Sequence, residues 1–505
     1  MIISLSVLVI TIIVSGTYAL YKAQLSKNIG VNTTTHGLAY YINYVKGTDI
    51  TAATLNPSTS YEGGASSDIE FWKKDDSYDI YGKIELTVNT IGTNLSNSPA
   101  LKYAVVNNGN VLSTGSLKGT TSGSKVTILK NLYLEQTKQI YTVYVWLDNS
   151  EELGNISNES LSISVDCTAS LQKEPTAADT IISLYTSAAK VTATNNSITY
   201  NTAPSVSLMN DRLGGTTTDL DGGNIRYYGA NPNNYIYFNC SDYSNQTSST
   251  CETWRIIGVF DGKLKLIRGS QIGKYSWDNK NTSTGAENDA GKNDWTTARL
   301  MKLLNPSDYY TVDSNDNNLG QSLYYNSASG KCYSGQNNAT VDCDFTSTGI
   351  KNEETRNMIA ETTYNLGGWN DTGVYPNEIY EYERGTTVYT GRPTTWTGKI
   401  ALAYPSDYGY AADLNQCKQT LANYDNSTCT SNNWMKAIIT DNGSNHGWLL
   451  TPDSSYSYVA WYSQGNVGEY FTGAARGAVP VLSLSSKLGI ESGDGSSSNP
   501  YKLSA

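Results

Sequence analysis

Charged side chains are scarce in this sequence. Only 16% of its 505 residues are Asp, Glu, Lys or Arg, and the net charge is −11. Lys and Arg form no cluster, whereas nucleic-acid binding needs clustered cations to neutralise the phosphates. The excess of negative charge also disfavours anionic lipid surfaces. We therefore expect no nucleic-acid partner, and any contact with a membrane has to be hydrophobic.

Metal-binding patterns are also lacking. The two histidines, His36 and His446, lie far apart, and no CxxC pair occurs, so neither a multi-histidine nor a typical zinc site is expected. Three runs carry oxygen ligands but lack the remaining positions of a calcium loop. These runs are "DLDGGN" (219–224), "DSNDNN" (313–318) and "GGWND" (367–371). We expect no metal and no cofactor.

Six of the seven cysteines form three closely spaced pairs. Each pair encloses about a dozen polar residues, which is typical of surface loops closed by disulfides outside the reducing cytoplasm. The predicted disulfides are Cys240–Cys251, Cys332–Cys343 and Cys417–Cys429. The seventh, Cys167, is either a buried thiol or an intermolecular link.

The first 21 residues carry no charged side chain and are long enough to span a bilayer as a helix. The segment could instead be a signal peptide, because Thr17-Tyr18-Ala19 is a plausible cleavage site. We favour an uncleaved membrane anchor over residues 1–21. Together with the cysteines, this segment predicts an extracellular location on the cell membrane, or secretion if the segment is cleaved.

Residues 22–166 show the alternation of an antiparallel β-sandwich. Apolar side chains alternate in "KIELTVN" (83–89), in "YTVYVWLD" (141–148) and in "LSISVD" (161–166), and Gly/Asn/Ser-rich turns separate the runs. This domain carries no catalytic pattern, and we expect it to be a stalk. Residues 167–222 are predicted to be a linker with a short helix that begins after Thr176.

Residues 223–505 are predicted to form a large α+β domain that contains eight of the ten tryptophans. Asp261-Gly262 predicts a hairpin within "WRIIGVFDGKLKLIRG". "TTARLMKLLN" (296–305) has helical periodicity. "GKIALAYPSDYGYA" (398–411) is predicted to be a strand that leads into a loop, and "NEIYEYERG" (377–385) to be a solvated strand or loop.

Tyrosine is abundant, with 39 residues against only 5 phenylalanines. An AT-rich genome would explain the overall excess, but not its concentration in "SSYSYVAWYSQGNVGEYFTGAARG" (454–477). Tyr, Ser, Gly and Asn together are typical of recognition surfaces, since Tyr offers a large contact area at low entropic cost.

The order of "NDWTTARLMKLLN", "GWLLTP" and "YVAWYSQGNVGEYFTGAARGAVPVLSL" resembles a group of bacterial proteins with a C-type-lectin-like fold. The group is related to the formylglycine-generating enzymes and includes the variable proteins of diversity-generating retroelements. The resemblance covers roughly residues 223–505. It implies a hairpin with solvent-facing binding residues, here Tyr456, Tyr458, Ala460, Tyr462, Gln464, Glu469, Tyr470, Thr472, Ala474 and Ala475.

The sequence therefore predicts a mainly β protein: an N-terminal hydrophobic helix, a β-sandwich and a C-type-lectin-like domain. The expected function is adhesion or recognition of an unknown protein or glycan ligand at the cell surface, without catalysis. A copper-dependent oxidase of the related fold would need a pair of free thiolates, which the predicted disulfides consume. The alternatives are a structural subunit of a surface fibre or envelope layer, and an orphan enzyme on the same fold.

Overall fold

The chain divides between Glu174 and Pro175 into two compact units. The structure, a computed structural model, describes residues 23–25 (backbone), 38–51, 55–149, 151, 153–156, 158–211, 223–278, 290–312, 319–335 and 339–504. Within these ranges, no helix is both long and apolar enough to cross a membrane. The predicted anchor over residues 1–21 lies outside them.

The N-terminal unit is built from two antiparallel-dominated sheets. One sheet has the strand order β1-β11-β6-β9, with β3 added on β11, and the other has the order β2-β5-β10-β7-β8, with β4 added on β10. The strands are β1 (Ala23–Leu25), β2 (Ile42–Val45), β3 (Ile50–Thr51), β4 (Pro57–Ser58), β5 (Ala65–Lys73), β6 (Tyr81–Ile91), β7 (Leu101–Asn107), β8 (Asn110–Ser116), β9 (Lys125–Tyr133), β10 (Ile140–Asp148) and β11 (Leu161–Ser170). A short helix, α1 (Thr93–Asn97), follows β6.

The alternation seen in the sequence positions the core of this unit. Ile84, Leu86 and Val88 on β6 are fully buried, and the residues between them are only half-buried. A strand places successive side chains on opposite faces, so every second residue enters the core. Cys167 lies on β11 with 1% of its surface exposed, and burial raises the pKa of its thiol well above the usual value. Of the two alternatives for this cysteine, the structure favours a buried thiol.

The segment predicted to be a linker, 167–222, is shared between the two units instead. Residues 167–170 complete β11, and helix α2 (Ala177–Ser187) belongs to the C-terminal unit. Thr176 caps α2 through a reciprocal pair of hydrogen bonds with Asp179, as its sequence predicted. Ile181 and Tyr185 of α2 are buried in the C-terminal core. Because α2 packs into the core, this part of the segment belongs to the folded C-terminal unit and is not a linker.

The C-terminal unit contains a nine-stranded and a five-stranded sheet. The larger has the order β12-β13-β14-β15-β17-β18-β29-β24, with β16 added on β17, and the smaller has the order β19-β28-β25-β26-β27. The strands are β12 (Val191–Asn195), β13 (Ile198–Ala203), β14 (Leu208–Asn210), β15 (Ile225–Tyr227), β16 (Tyr235–Phe238), β17 (Glu252–Phe260), β18 (Lys263–Arg268), β19 (Lys274–Ser276), β20 (Ser329–Tyr333), β21 (Thr340–Asp344), β22 (Thr362–Asn365), β23 (Thr395–Gly398), β24 (Ile400–Ala401), β25 (Gly447–Pro452), β26 (Val459–Ser463), β27 (Val467–Phe471), β28 (Ala475–Gly477), β29 (Val481–Ser483), β30 (Gly489–Ser492) and β31 (Lys502–Ser504).

Short helices connect these strands. They are α3 (Arg299–Leu304), α4 (Glu353–Met358), α5 (Pro376–Glu383), α6 (Pro405–Tyr410), α7 (Ser427–Ser431) and α8 (Lys436–Ile439). Helix α3 confirms the predicted helix in shorter form. The hairpin of β17 and β18 turns at Asp261 (φ 48°) and Gly262 (φ 70°), the conformation that an Asp-Gly turn favours.

Two segments expected to be loops or solvated strands are helices. "NEIYEYERG" forms α5, which begins at Pro376, and the end of "GKIALAYPSDYGYA" forms α6, which begins at Pro405. Proline is favoured in the first turn of a helix, because its missing N–H would have no partner there. In both helices an acidic side chain, Glu378 or Asp407, accepts the backbone N–H that precedes the first turn.

These helices place two carboxylates in the interior. Asp407 of α6 is 1% exposed and contacts Arg226 Nη1 at 2.9 Å and Lys265 Nζ at 2.5 Å. Glu383 of α5 is fully buried and accepts hydrogen bonds from the N–H and the hydroxyl of Ser406. Burial raises the pKa of Glu383 to about 7. The expectation that the "NEIYEYERG" acids are solvated is therefore wrong for Glu383.

All three predicted disulfides are present. They link Cys240 to Cys251, Cys332 to Cys343 and Cys417 to Cys429. Each closes a local loop within the C-terminal unit, as the spacing predicted. Disulfides of this kind are typical of proteins that fold in an oxidising compartment.

Candidate ligand-binding surface

The tyrosine-rich segment forms the outer part of the five-stranded sheet. Its base is β25, in which every residue is buried and Trp448, Leu449 and Leu450 are fully so. Strand β26 pairs with β25 on one side and with β27 on the other. The surface of β26 and β27 is therefore held on a well-packed strand, as expected for a binding surface on a rigid scaffold.

The ten sequence-predicted binding residues divide by exposure. Tyr456, Gln464, Tyr470 and Ala475 are exposed, and Tyr458, Tyr462, Glu469 and Ala474 are half-buried. Ala460 and Thr472 are fully buried. Ala460 packs in the hydrophobic core, and the Thr472 hydroxyl donates to the carbonyl of Ala290 at 3.0 Å. The expectation of ten solvent-facing residues is corrected at these two positions, because both side chains point into the unit.

Six rings form a continuous series across the surface, here called the aromatic row. Centroid separations are 6.0 Å, 5.6 Å, 5.3 Å, 6.3 Å and 5.4 Å along it, within the range of favourable ring contacts. The row consists, in spatial order, of Tyr456, Tyr458, Phe471, Tyr470, Tyr462 and His446. Tyr456 is 55% exposed, Tyr470 41% and Phe471 40%.

Three of the residues in and around the row were missed in the sequence. Phe471 neighbours Tyr470 on β27, but sequence reasoning assigned it no role. His446 and Arg476 come together at the end of the row because β28 pairs with β19 and, in parallel, with β25. That pairing joins segments distant in sequence, so no local pattern indicates it.

The loop that carries Tyr456 is fixed from below by Asn293. The Asn293 side-chain amide is buried and donates to the carbonyls of Asp453 and Tyr456 at 2.8 Å, and to that of Val459 at 3.1 Å. Its oxygen accepts from Arg392 Nε at 3.0 Å. These contacts tie three carbonyl groups of the loop to one buried side chain. The first part of the aromatic row is therefore held in place before any ligand arrives.

A pair of carboxyl groups lies beneath the same loop. Asp453 is fully buried, and its Oδ1 accepts the N–H groups of Ser455 at 2.5 Å and Tyr456 at 2.7 Å. Glu469 lies beside it, and burial together with the charge of Asp453 raises the pKa of Glu469 to about 7. Two close carboxyls favour a shared proton. Glu469 thus faces Asp453 beneath the loop, whereas the resemblance placed it in the solvent-facing set.

Arg476 lies at the other end of the row. Its guanidinium carbon is 3.7 Å from the centroid of the Tyr462 ring and 4.3 Å from that of Tyr470. Arg476 Nη1 also contacts His446 Nδ1, and His446 stacks on Tyr462. Burial, followed by Arg476 and Lys274, lowers the pKa of His446. The lowered pKa favours the neutral ring, whose Nδ1 can accept from Arg476.

Of the three runs that carry possible calcium ligands, the structure describes one completely, and its side chains contact neighbouring protein groups. In "GGWND", Trp369 stacks on Tyr382 with 3.7 Å between centroids, the Asn370 amide donates to Ser455, and Asp371 accepts the N–H of Gly373. The run 313–318 and most of 219–224 lie outside the described residues. Within the described ranges, no group of three His, Cys, Asp or Glu side chains could hold a metal ion.

Comparisons with known proteins give no family for this chain. No protein family and no curated protein matches it. An acetyl xylan esterase from the rumen bacterium Butyrivibrio proteoclasticus is 11% identical, with a TM-score of 0.14, over 27% of this chain and 35% of the esterase chain. The receptor-binding domain of botulinum neurotoxin mosaic serotype C/D is 12% identical, with a TM-score of 0.15, over 53% of this chain and 75% of that one. Scores this low establish no shared fold.

Proposed function

We propose that the C-terminal unit is a recognition domain that binds a ligand on the aromatic row, without catalysis. The row itself carries this proposal, because three of its rings are at least 40% exposed on a firmly held framework. Tyr470 and Phe471 lie on β27, which β26 joins to the fully buried strand β25, and Tyr456 lies on the loop fixed by Asn293. Exposed apolar rings cost free energy in water, and contiguous patches of them are typical of interaction sites.

The same proposal places the protein outside the cytoplasm of a bacterium, at the cell surface. The three disulfides support this location, and residues 1–21 would supply the anchor. Diversification of the hairpin by a retroelement rests on the sequence resemblance to C-type-lectin-like variable proteins. A template copy of the corresponding DNA next to the gene would test it.

Binding rather than catalysis is supported by the state of the cysteines. The six cysteines of the C-terminal unit are all paired in disulfides, so none of them supplies a thiolate nucleophile or a copper ligand. The single histidine of this unit has one ring nitrogen engaged with Arg476. The neighbours of this ring among the described residues, Arg476 and Tyr462, are not the serine or cysteine nucleophile that a nucleophile–base pair requires.

A binding screen of the full chain on glycan and protein arrays tests the proposal. The matched variant replaces Tyr456, Tyr470 and Phe471 together by Ser. Because these rings are largely exposed, we expect the variant to keep its thermal transition within a few degrees while losing binding. Tyr78→Ser, which removes a 45% exposed ring from the N-terminal unit, is the control and should bind normally.

Two outcomes would contradict the proposal. Binding that persists in the triple variant would place recognition elsewhere on the molecule. No binding by the wild-type chain, with self-assembly of the purified protein, would favour the alternative of a structural subunit of a surface fibre or envelope layer.

A further inference from the structure

Arg476 is a buried cation without an acidic partner among the described residues. Its surface is only 8% exposed, and its contacts are to the rings of Tyr462, Tyr470 and Trp448 and to His446 Nδ1. Its Nε lies buried with no hydrogen-bond partner. An unpaired buried charge is costly, so a group of this kind indicates that a partner is supplied from outside.

Other enclosed cations of the C-terminal unit have carboxylate or carbonyl partners, although Arg226 Nη2 is also buried without a hydrogen-bond partner among the described residues. Arg226 contacts Asp211 and Asp407, and Arg268 contacts Glu252. Arg255, which faces no carboxylate among the described residues, still donates from Nε to the Asn234 amide oxygen and from Nη2 to the carbonyl of Pro232. Arg476 differs from Arg255 because its one hydrogen bond goes to an imidazole nitrogen.

The surroundings of Arg476 favour one negative charge. Lys274, on the neighbouring strand β19, pairs with Gly477, the residue after Arg476, and contributes to the lowered pKa of His446. Arg476 therefore lies beside a second cationic residue and without a described carboxylate partner, in a protein whose net charge is −11. A polyanion would be repelled by the rest of the surface, whereas a ligand with a single carboxylate would not.

The exposed ring beside Arg476 suits a sugar. Tyr470 is 41% exposed and lies next to the guanidinium with its hydroxyl at the ring edge, whereas Arg476 and His446 cover the Tyr462 ring. A pyranose has the matching pattern, with C–H groups on its face and hydroxyls at its rim. Arg476 is recessed between the two rings, so only a small group that projects from the ligand can reach it.

We propose that Arg476 receives the carboxylate of an acidic sugar that lies against the exposed ring of Tyr470. This inference rests on the proposed function and specifies the ligand class for the same surface. An Arg–carboxylate contact is charge-assisted and directional, so it would select acidic sugars over neutral ones with the same ring.

The test compares acidic monosaccharides with their neutral methyl esters on the full-length wild-type chain. The probes are N-acetylneuraminic acid, glucuronic acid and galacturonic acid, measured by calorimetry at low salt. We expect at least one acid to bind about tenfold or more tightly than its ester, the ratio expected for one charge-assisted hydrogen bond. Because the esters leave the protein unchanged, this result does not depend on the folding of a variant.

Arg476→Gln provides the second arm, with Lys118→Gln as the control. Both remove one positive charge, but Lys118 is exposed in the N-terminal unit. Arg476→Gln should abolish the preference for the acid, and Lys118→Gln should retain it. Tyr470→Ser should weaken the binding of the acid and of the ester together, since the Tyr470 ring contacts the sugar ring and not the carboxylate of the ligand.

The possible failures are distinguishable. Equal binding of acid and ester would overturn the acidic-sugar proposal and leave ligand binding on the aromatic row intact. Binding of a neutral glycan or of a protein that depends on the row, with no binding of the acids, would do the same. If the wild-type chain shows no binding that depends on the aromatic row, both proposals are overturned.

Discussion

Replacement of Asn293 by Ala should loosen the loop that carries Tyr456. The side chain is 1% exposed and donates to three carbonyl oxygens while accepting from Arg392. A hydrogen bond of this kind contributes about 1 kcal/mol net, and a buried group left without a partner costs about 1–3 kcal/mol. Water that enters the cavity left by the substitution will hydrogen-bond to some of the freed polar groups. We therefore expect a loss of about 3 kcal/mol in the free energy of unfolding.

Urea unfolding followed by tryptophan fluorescence measures this loss. Eight of the ten tryptophans belong to the C-terminal unit, so the signal reports mainly on that unit. Hydrogen exchange should also become faster for the amides of residues 453–458, and ligand binding should weaken because the loop is no longer pre-organised.

Asn370→Ala is the matched control for this experiment. Asn370 contacts the same loop through Ser455 at 2.8 Å, but its side chain is exposed. Its loss should cost less than about 1 kcal/mol. If Asn293→Ala costs no more than Asn370→Ala, the loop is not held by the buried amide and the reasoning fails.

The remaining predictions concern buried carboxyl groups. The pKa of Glu469 is raised to about 7, above its value in the unfolded chain, so the folded state binds the additional proton and the free energy of unfolding falls as pH rises from about 4.5 to 7. Glu469→Gln should reduce the fall in the free energy of unfolding between pH 5 and pH 8. Part of the fall should remain, because the pKa of Glu383 is also raised to about 7. An unchanged pH profile would contradict the raised pKa of Glu469. Asp407→Asn should cost about 3–5 kcal/mol in urea unfolding, because Arg226 and Lys265 lose their shared carboxylate in the interior. A cost under about 1 kcal/mol would mean that these charges are solvated.

Local patterns in the sequence were sufficient for several elements. The alternation around Ile84 predicted a sandwich strand, Asp261-Gly262 predicted a hairpin, and cysteine spacing predicted the three disulfides. Each of these features depends on residues that lie within about a dozen positions of one another. Strand alternation, turn preference and the closure of short loops can therefore be read directly from the local sequence.

Features that depend on distant segments could not be predicted in this way. The family resemblance placed Tyr470 at the surface, but it could not show that Ala460 packs in the core or that Arg476 meets His446 across two strand pairings. The hydrophilic appearance of "NEIYEYERG" hid the burial of Glu383, which depends on Ser406 of another helix. The sequence of α2 predicts part of a linker, because the core residues against which α2 packs are distant in the sequence.

The most direct test of the account is hydroxyl-radical footprinting of the folded full-length chain, with and without a ligand selected on the arrays. We predict that Tyr456, Tyr470 and Phe471 react readily in the free protein and are protected together when the ligand binds. Protection confined to another surface, or low reactivity of these rings in the free protein, would contradict the claim that the aromatic row is the binding site.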